Sequence, residues 1–280
     1  ELIHEGLVNF QLDKGASEQE AQRYADANID QYAKRLPQGY SDWESALFKK
    51  GYQQDYNLSA SAGNQNSSFI GSLGYTKQTG VSLNSEMERF TGRVDASNKY
   101  KKVEFGMNAS FSWTKNVHLP EGKFYGSAIY ASKVNLTPST PIYNEDGTYA
   151  SGYRENNGYN PILEAEVNDY YARTVRAMGT AKIAYNVWDN LKVSSVFTVD
   201  YSLTKDFFFQ SPDGRDGATY QGRGRMQMTD RIRYTSQNNL TYSKTFGKHS
   251  VSAVTAFEVM KYDYRSEERR VGKECRSRWS

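Results

Sequence analysis

The chain is short of the residues that usually announce a chemistry. A single cysteine, Cys275, among 280 residues leaves no partner for a disulfide and no thiolate cluster of the kind that holds zinc. His4, His118 and His249 are isolated from one another, so no Ser, His and acidic set is suggested, and the expectation is no catalytic residue, metal site or cofactor. No apolar run approaches the roughly 18 to 20 residues of a membrane-crossing helix, which excludes a helical membrane protein. Apolar residues make up only 38% and the mean hydropathy is −0.79, low for a compact soluble core of this size. Excess charge is also lacking. Lys and Arg number 35 against 32 Asp and Glu, which gives no electrostatic case for a nucleic-acid partner.

What is abundant is aromatic: 22 Tyr and 13 Phe against six Met and six Pro. Aromatic and β-branched side chains fit pleated, half-buried surfaces, and a membrane barrel conceals its hydrophobicity by alternating it along strands. The first residues, Glu1-Leu2-Ile3-His4-Glu5, contain no basic region followed by an apolar one and so no signal peptide. Glu1 is not an initiator Met, and the expectation is that the beginning of the protein is missing. Residues 265–280 read Arg-Ser-Glu-Glu-Arg-Arg-Val-Gly-Lys-Glu-Cys-Arg-Ser-Arg-Trp-Ser, with neither strand alternation nor a helical apolar face. They look like the conceptual translation of a sequencing-library adaptor, an artefactual tail. Setting aside its six basic and three acidic residues leaves 29 of each sign, and Cys275 then carries no information.

Residues 1–51 read as a helical segment. Ser17 with Glu20 forms a capping-box pattern, after which Ala21, Tyr24, Ala25, Tyr32, Ala33 and Leu36 recur at helical spacing up to Pro37. Ser41 with Glu44 suggests a second box opening a short helix through Trp43, Ala46 and Leu47. From Tyr52 the period changes to two. Eight alternating segments follow, carried by Tyr56–Ala60, Phe69–Tyr75, Phe90–Ala96, Val103–Thr114, Val175–Val187, Leu191–Leu203, Met228–Lys244 and Ser250–Lys261. In the fourth, Val103, Phe105, Met107, Ala109, Phe111 and Trp113 occupy one face, and Glu104, Gly106, Asn108, Ser110, Ser112 and Thr114 the other.

The connections alternate strictly. Short ones fall at Ala62–Ser67, Asn98–Lys101, Trp188–Asn190 and Phe246–Lys248, and long ones at Thr76–Arg89, Lys115–Arg173 and Lys205–Arg225. In an up-and-down antiparallel sheet this parity puts every tight turn at one end and every long loop at the other, as in outer-membrane barrels. Several segments also reach the 9 to 11 residues a tilted membrane strand needs, beyond the five or six usual in a soluble sheet. The apolar face would then meet lipid. Arg93, Asp95, Glu104, Lys182, Lys192 and Asp200 would line a lumen, and Trp113, Tyr185, Trp188, Tyr201, Tyr242 and Phe246 would sit at the interfaces. The expected fold is all-β, a partial transmembrane antiparallel up-and-down barrel of about eight strands out of a larger one, with a barrel region over 52–264.

Asp42-Trp43, Ala46-Leu47-Phe48, the run Tyr56–Asn64, Phe69–Tyr75, Glu88–Val94, Pro141–Tyr149, Asn160-Pro161, Asn239–Phe246 and Val251–Glu258, taken in order, resemble the SusC/RagA family of TonB-dependent transporters over residues 1–264. The resemblance implies a bacterial outer-membrane location and active uptake of oligosaccharides or peptides. It also implies a SusD-like lipoprotein partner over the barrel and energy from the TonB complex. Residues matching a TonB box, a plug and a C-terminal strand are lacking, so the chain alone is not expected to transport. The alternatives are a secreted carbohydrate-binding or adhesive module, a passive porin and, third, a barrel hydrolase.

Ligand or lid contact is expected from the loop aromatics Tyr125, Tyr143, Tyr149, Tyr153 and Tyr159, and from Phe207 and Phe208, since aromatic faces suit sugar rings and protein partners alike. Gly222–Gly224 reads as a flexible loop, since no strand-then-helix unit surrounds it. Asp213–Gly217 reads chiefly as a turn, with cation binding as the lesser alternative.

Overall fold

In a computed structural model of the chain, residues 2–32, 40–118, 127, 131, 135–152 and 155–271 are described. Helices α1 (Leu2–Asp13) and α2 (Glu18–Tyr32) pair through Leu7, Ala21 and Ala25, which are buried. The box at α2 forms as expected: Ser17 N–H donates to Glu20 Oε2 at 3.0 Å and Glu20 N–H to Ser17 Oγ at 3.4 Å. Helix α3 (Trp43–Leu47) differs from expectation, because its cap is Asp42 rather than Ser41; the Asp42 carboxylate accepts from Ser45 N–H at 3.0 Å. Helix α1 gave no capping signal in the sequence. Ala33, Leu36 and Pro37 lie outside the described residues.

The rest is one antiparallel sheet of eight strands in sequence order. These are β1 (Tyr52–Gly63), β2 (Ser67–Thr79), β3 (Glu86–Tyr100), β4 (Val103–Val117), β5 (Asp169–Trp188), β6 (Leu191–Gln210), β7 (Arg223–Phe246) and β8 (His249–Val271). Among the described residues the sheet is open, with β1 and β8 each paired on one side only. The strand boundaries differ from the sequence reading. Several strands extend beyond the alternating region at the long-loop end, for example β2 to Thr79 and β6 to Gln210. There both faces are wetted, so hydrogen-bonded pairing continues without a hydrophobic period to announce it. For the same reason β8 runs past Tyr264, with Arg265–Val271 paired to Asp230–Gly224. Residues 272–280 lie outside the described residues.

The register assembles continuous rows across the sheet. Tyr56, Tyr75, Phe90, Trp113, Val175 and Leu203 are successive partners on one face, and so are Ala60, Gly71, Val94, Ala109, Gly179, Val199 and Tyr234. The opposite face carries Asp55, Thr76, Arg89, Thr114, Thr174, Thr204 and Thr229 in one row. Among the described residues nothing covers the apolar face: Leu58 is 72% exposed, Leu73 66% and Ile183 54%. Such an expanse of bare apolar surface is a site for lipid or a partner, not a soluble exterior.

The turns show how the sheet stands. The last pair before the first turn, Gly63 with Ser68, lies in the row of Gln237 on β7, yet the β7 turn begins at Phe246, nine residues further along. Nine residues span about 30 Å, and six strand spacings about 29 Å. For all the tight turns to lie at one level, the strands must tilt by about 45°, close to the tilt of membrane barrels.

At that tilt the apolar band has a height. Counting up from the turn on the apolar face, the first charges on β3, β4 and β8 are Glu88, Lys115 and Lys261, each twelve residues beyond Tyr100, Val103 and His249 respectively. Twelve residues rise about 28 Å, just above the roughly 25 Å band of an outer-membrane barrel. Aromatics mark its edges. Tyr56, Tyr75, Phe90 and Trp113 form a chain of neighbouring rings at the upper edge, with centroids 6.4, 4.7 and 5.8 Å apart. Tyr100, Tyr185, Trp188 and Tyr242 lie near the turns. A bulge between Asn186 and Trp188 reverses the side-chain parity, bringing Trp188 opposite Leu191 on the lipid face.

Candidate functional site

Two surfaces can act on something other than lipid: the polar face of the sheet and the loop assembly at its upper end. Side chains pair with one another across the polar face. Arg176 grips Asp200 through Nε at 3.0 Å and Nη2 at 2.8 Å, Lys192 pairs with Glu104, and Asn108 donates to Asp95 at 2.8 Å. All six lumen residues expected from the sequence lie on this face. Hydroxyls fill the spaces between the charges: Thr174 with Thr204 at 3.2 Å and Thr180 with Thr198 at 3.1 Å. A wall of this kind supports water and a polar solute.

The loop assembly is built around helix α4 (Pro161–Val167), which the sequence signals only through Asn160-Pro161, a capping residue followed by proline at the first helical position. Buried Asn160 uses both ends of its amide. Oδ1 accepts from the N–H groups of Ile162 at 3.0 Å and Leu163 at 3.4 Å, while Nδ2 donates to the carbonyls of Ile142 at 2.9 Å and Ala150 at 3.0 Å. One side chain thus closes the helix and ties it to the 141–150 loop. Trp43, Leu47 and Ile162 form a small core with Leu83, Ile142 and Tyr149 around it, fixed by Trp43 Nε1–H donating to the Thr140 carbonyl at 2.9 Å. Ala165 rests against Tyr170, with Leu83 and Phe208 beside them. Since Tyr170 and Phe208 lie on the polar face, the assembly sits over the lumen side of the sheet.

A polar seam joins α4 to the 211–222 loop. Glu164, 1% exposed, accepts from Arg215 N–H at 2.7 Å and from Asn168 Nδ2 at 2.6 Å. Asn168 Oδ1 in turn accepts from Ser211 N–H at 2.9 Å. Gly217 allows this loop its close approach, because a Cβ there would fall 1.9 Å from the Ser211 carbonyl oxygen. Burial raises the Glu164 carboxyl above its usual range despite these donors. An acid with a raised folded-state pKa is favoured protonated, so the contribution to stability is greatest below the unfolded pKa near 4.5 and declines as pH rises towards the folded value. We expect amide exchange in 160–168 and 211–218, corrected for intrinsic rates, to show less protection at pH 8 than at pH 5. Glu164→Gln should abolish that dependence, while weakening the seam by about 1–3 kcal/mol because an amide now faces the Asn168 amide. Equal pH dependence in both proteins would refute this role.

The aromatics singled out in the sequence are dispersed. Tyr143 and Tyr149 bridge a tight loop with ring centroids 5.2 Å apart; Tyr143 is 47% exposed, while Tyr149 leans into the core and is bonded to Glu166, which holds its phenol protonated. Tyr159 donates to Asp216, whose second oxygen accepts from Gln210 at 3.0 Å, and Asp213 accepts from Ser211 Oγ at 3.2 Å, so Asp213–Gly217 is a bonded turn that runs into a single helical turn, Arg215–Ala218. Phe208 meets Tyr170 edge-on at 4.6 Å on the lumen side, whereas Phe207 stacks on Tyr171 at 4.9 Å on the outer side. Gly222 adopts positive φ in the loop, and Gly224 belongs to β7. Tyr125 and Tyr153 lie outside the described residues. Sequence reasoning had Asn160 only as part of a motif of the resemblance and missed Glu164 and Asn168, because buried polar ties have no periodic signature.

Tilt, band height, segregated faces and turn parity together define a section of an outer-membrane β-barrel wall. The relatives are specific about which kind. The chain is 29% identical over 240 residues to TonB-dependent receptor P3 of Formosa agariphila, covering 82% of this chain and 24% of that protein. It is 28% identical over 120 residues to TonB-dependent receptor SusC of Bacteroides thetaiotaomicron, covering 41% and 12%. Among solved structures it superposes on the RagAB peptide transporter with a TM-score of 0.71 at 18% identity, over 96% of this chain and 33% of that one, and on the open-open state of the RagAB peptide importer with 0.72 at 19%, over 83% and 26%. No family model matches. The chain is similar to outer-membrane TonB-dependent receptors of the SusC/RagA kind, and spans about a quarter of the length of the first of these relatives.

Proposed function

We propose that this chain forms a section of barrel wall and external loops in a TonB-dependent importer of oligosaccharides, and that the section itself carries out no catalysis. The observation that carries this reading is the lumen face. Part of its charge is neutralised within the wall by Arg176 with Asp200 and Lys192 with Glu104, the threonine pairs and Asn108 between them offer hydroxyl and amide groups suited to a polyhydroxylated solute, and Lys182, Arg231 and Arg233 leave some positive charge on the same face. A peptide is the second cargo, and the RagAB importer is its precedent within the fold. The α4 assembly and exposed Tyr143 are where a SusD-like lipoprotein would rest, and energy would come through the TonB complex.

Uptake of fluorescent maltooligosaccharides and of fluorescent peptides by cells carrying the full-length receptor tests the cargo. Saturable, TonB-dependent oligosaccharide uptake is expected. Peptide uptake alone would overturn the cargo assignment, and TonB-independent flux would favour a porin. Tyr143→Ala should lower co-purification of the lipoprotein partner several-fold without changing the amount of receptor. Unchanged co-purification would remove Tyr143 from that interface.

A further inference from the structure

On the lipid face, immediately above the apolar band, Lys115, Arg173 and Lys205 are direct cross-strand partners on β4, β5 and β6. Like charges placed opposite one another destabilise a sheet. Here three stand in one row, and none has an ion-pair partner among the described residues; the pairs that do form involve other cations. Glu88, next along the row, accepts instead from the Tyr75 hydroxyl at 3.4 Å. Two of the cations are held in place from above: Arg173 lies 4.7 Å and Lys115 5.9 Å from the centre of the Tyr171 ring, which is itself backed by Phe207. Below them Trp113, Val175 and Leu203 begin the hydrocarbon-facing surface.

We propose that this row binds the phosphate of an outer-leaflet lipid headgroup. Three facts on this surface agree. Unneutralised positive charge calls for an anion. Its height, about 28 Å or more above the turns, is headgroup depth rather than hydrocarbon or bulk water. The surface directly beneath is furrowed, since Ala177, Gly179 and Ala181 on β5 lie between Phe111 and Met107 on β4 and Tyr201 and Phe197 on β6, leaving room for an acyl chain beneath its own headgroup. A phosphate between the three cations would turn a repulsive row into a bridged one, joining β4, β5 and β6 at the membrane edge. It would also give Phe207 a place beside a lipid rather than in the cargo path.

The inference rests on the barrel reading, and the test separates the two. Full-length receptor is purified in detergent, stripped of lipid, and mixed with a monophosphorylated lipid A or with the same lipid after phosphatase treatment. Retained lipid is counted by native mass spectrometry. The phosphorylated lipid should be retained at least tenfold better than the dephosphorylated one. The variant Lys115→Ser/Arg173→Ser/Lys205→Ser should lose that preference, the lumen-face control Arg93→Ser should keep it, and millimolar inorganic phosphate should not displace the lipid. Equal retention of both lipids by the wild type, an undiminished preference in the triple variant, or displacement by free phosphate would each overturn the proposal. The wild-type comparison decides the matter even if the triple variant fails to assemble. A receptor that needs no detergent and shows no heat-dependent gel shift would instead refute the barrel reading itself.

Discussion

Replacing Ala109 with Arg should sharply reduce the assembled, heat-modifiable form of the receptor, while Asn108→Arg, one residue away, should leave it nearly unchanged. Ala109 lies in the row of Gly71, Val94, Gly179 and Val199 on the lipid face, six residues above Val103, at about 14 Å and so close to the middle of the band. An arginine at that depth costs about 2–4 kcal/mol, a large share of the stability of any single domain. Asn108 points the other way and now donates to Asp95; an arginine there meets the same carboxylate in water. Semi-native electrophoresis of outer-membrane fractions reads the difference. Equal loss in both variants would mean that the two faces are not solvated differently.

The second large effect is expected at Asn160. Alanine removes the α4 cap and leaves the buried Ala150 carbonyl without its donor, while the Ile142 carbonyl keeps the Ala150 N–H at 3.0 Å. Loss of a cap costs about 1 kcal/mol, and the buried carbonyl left without a partner about 1–3 kcal/mol, so the local loss should be about 2–4 kcal/mol. The 141–150 loop should then become sensitive to limited proteolysis, and uptake should fall at least tenfold. The barrel should still assemble, because no strand pairing depends on this residue. Asn160→Asp retains the cap but not the donors, so it should fall between the two. Wild-type protease resistance in Asn160→Ala would show that the loops are held by the Trp43 core alone.

These two sites also mark the limit of what the sequence made legible. All eight strands and their order could be read from period-two alternation and turn parity, because lipid on one side and water on the other impose that pattern wherever a strand crosses the band. Above the band the pattern ends while the strands continue, which is why Thr79, Gln210 and Val271 were not foreseen as strand residues. The tilt was equally hidden, since it lies in the stepwise displacement of the turns between strand pairs. The loop assembly was the least legible part. Its aromatics stood out by composition, yet the groups that organise it are Asn160, Glu164 and Asn168. Their importance comes from partners 10 to 51 residues away in sequence. Phe207 and Phe208 show the same limit at its simplest: neighbours in the chain, they were grouped as one site, and the pleat sends them to opposite sides of the wall.

The most direct test of the barrel assignment is a single-cysteine scan of β4 from Val103 to Thr114 in the full-length receptor, in a cysteine-free background. Each variant is exposed in intact membranes to a water-soluble maleimide, and, once labelled with a fluorophore, to a lipid-dissolved quencher. The structure predicts strict alternation: 104, 106, 108, 110, 112 and 114 react from water, while 103, 105, 107, 109, 111 and 113 are shielded from the maleimide and quenched from lipid. If the odd positions resist both reagents, as in the dry core of a soluble sandwich, or if all positions react with the maleimide alike, the chain is not a barrel wall.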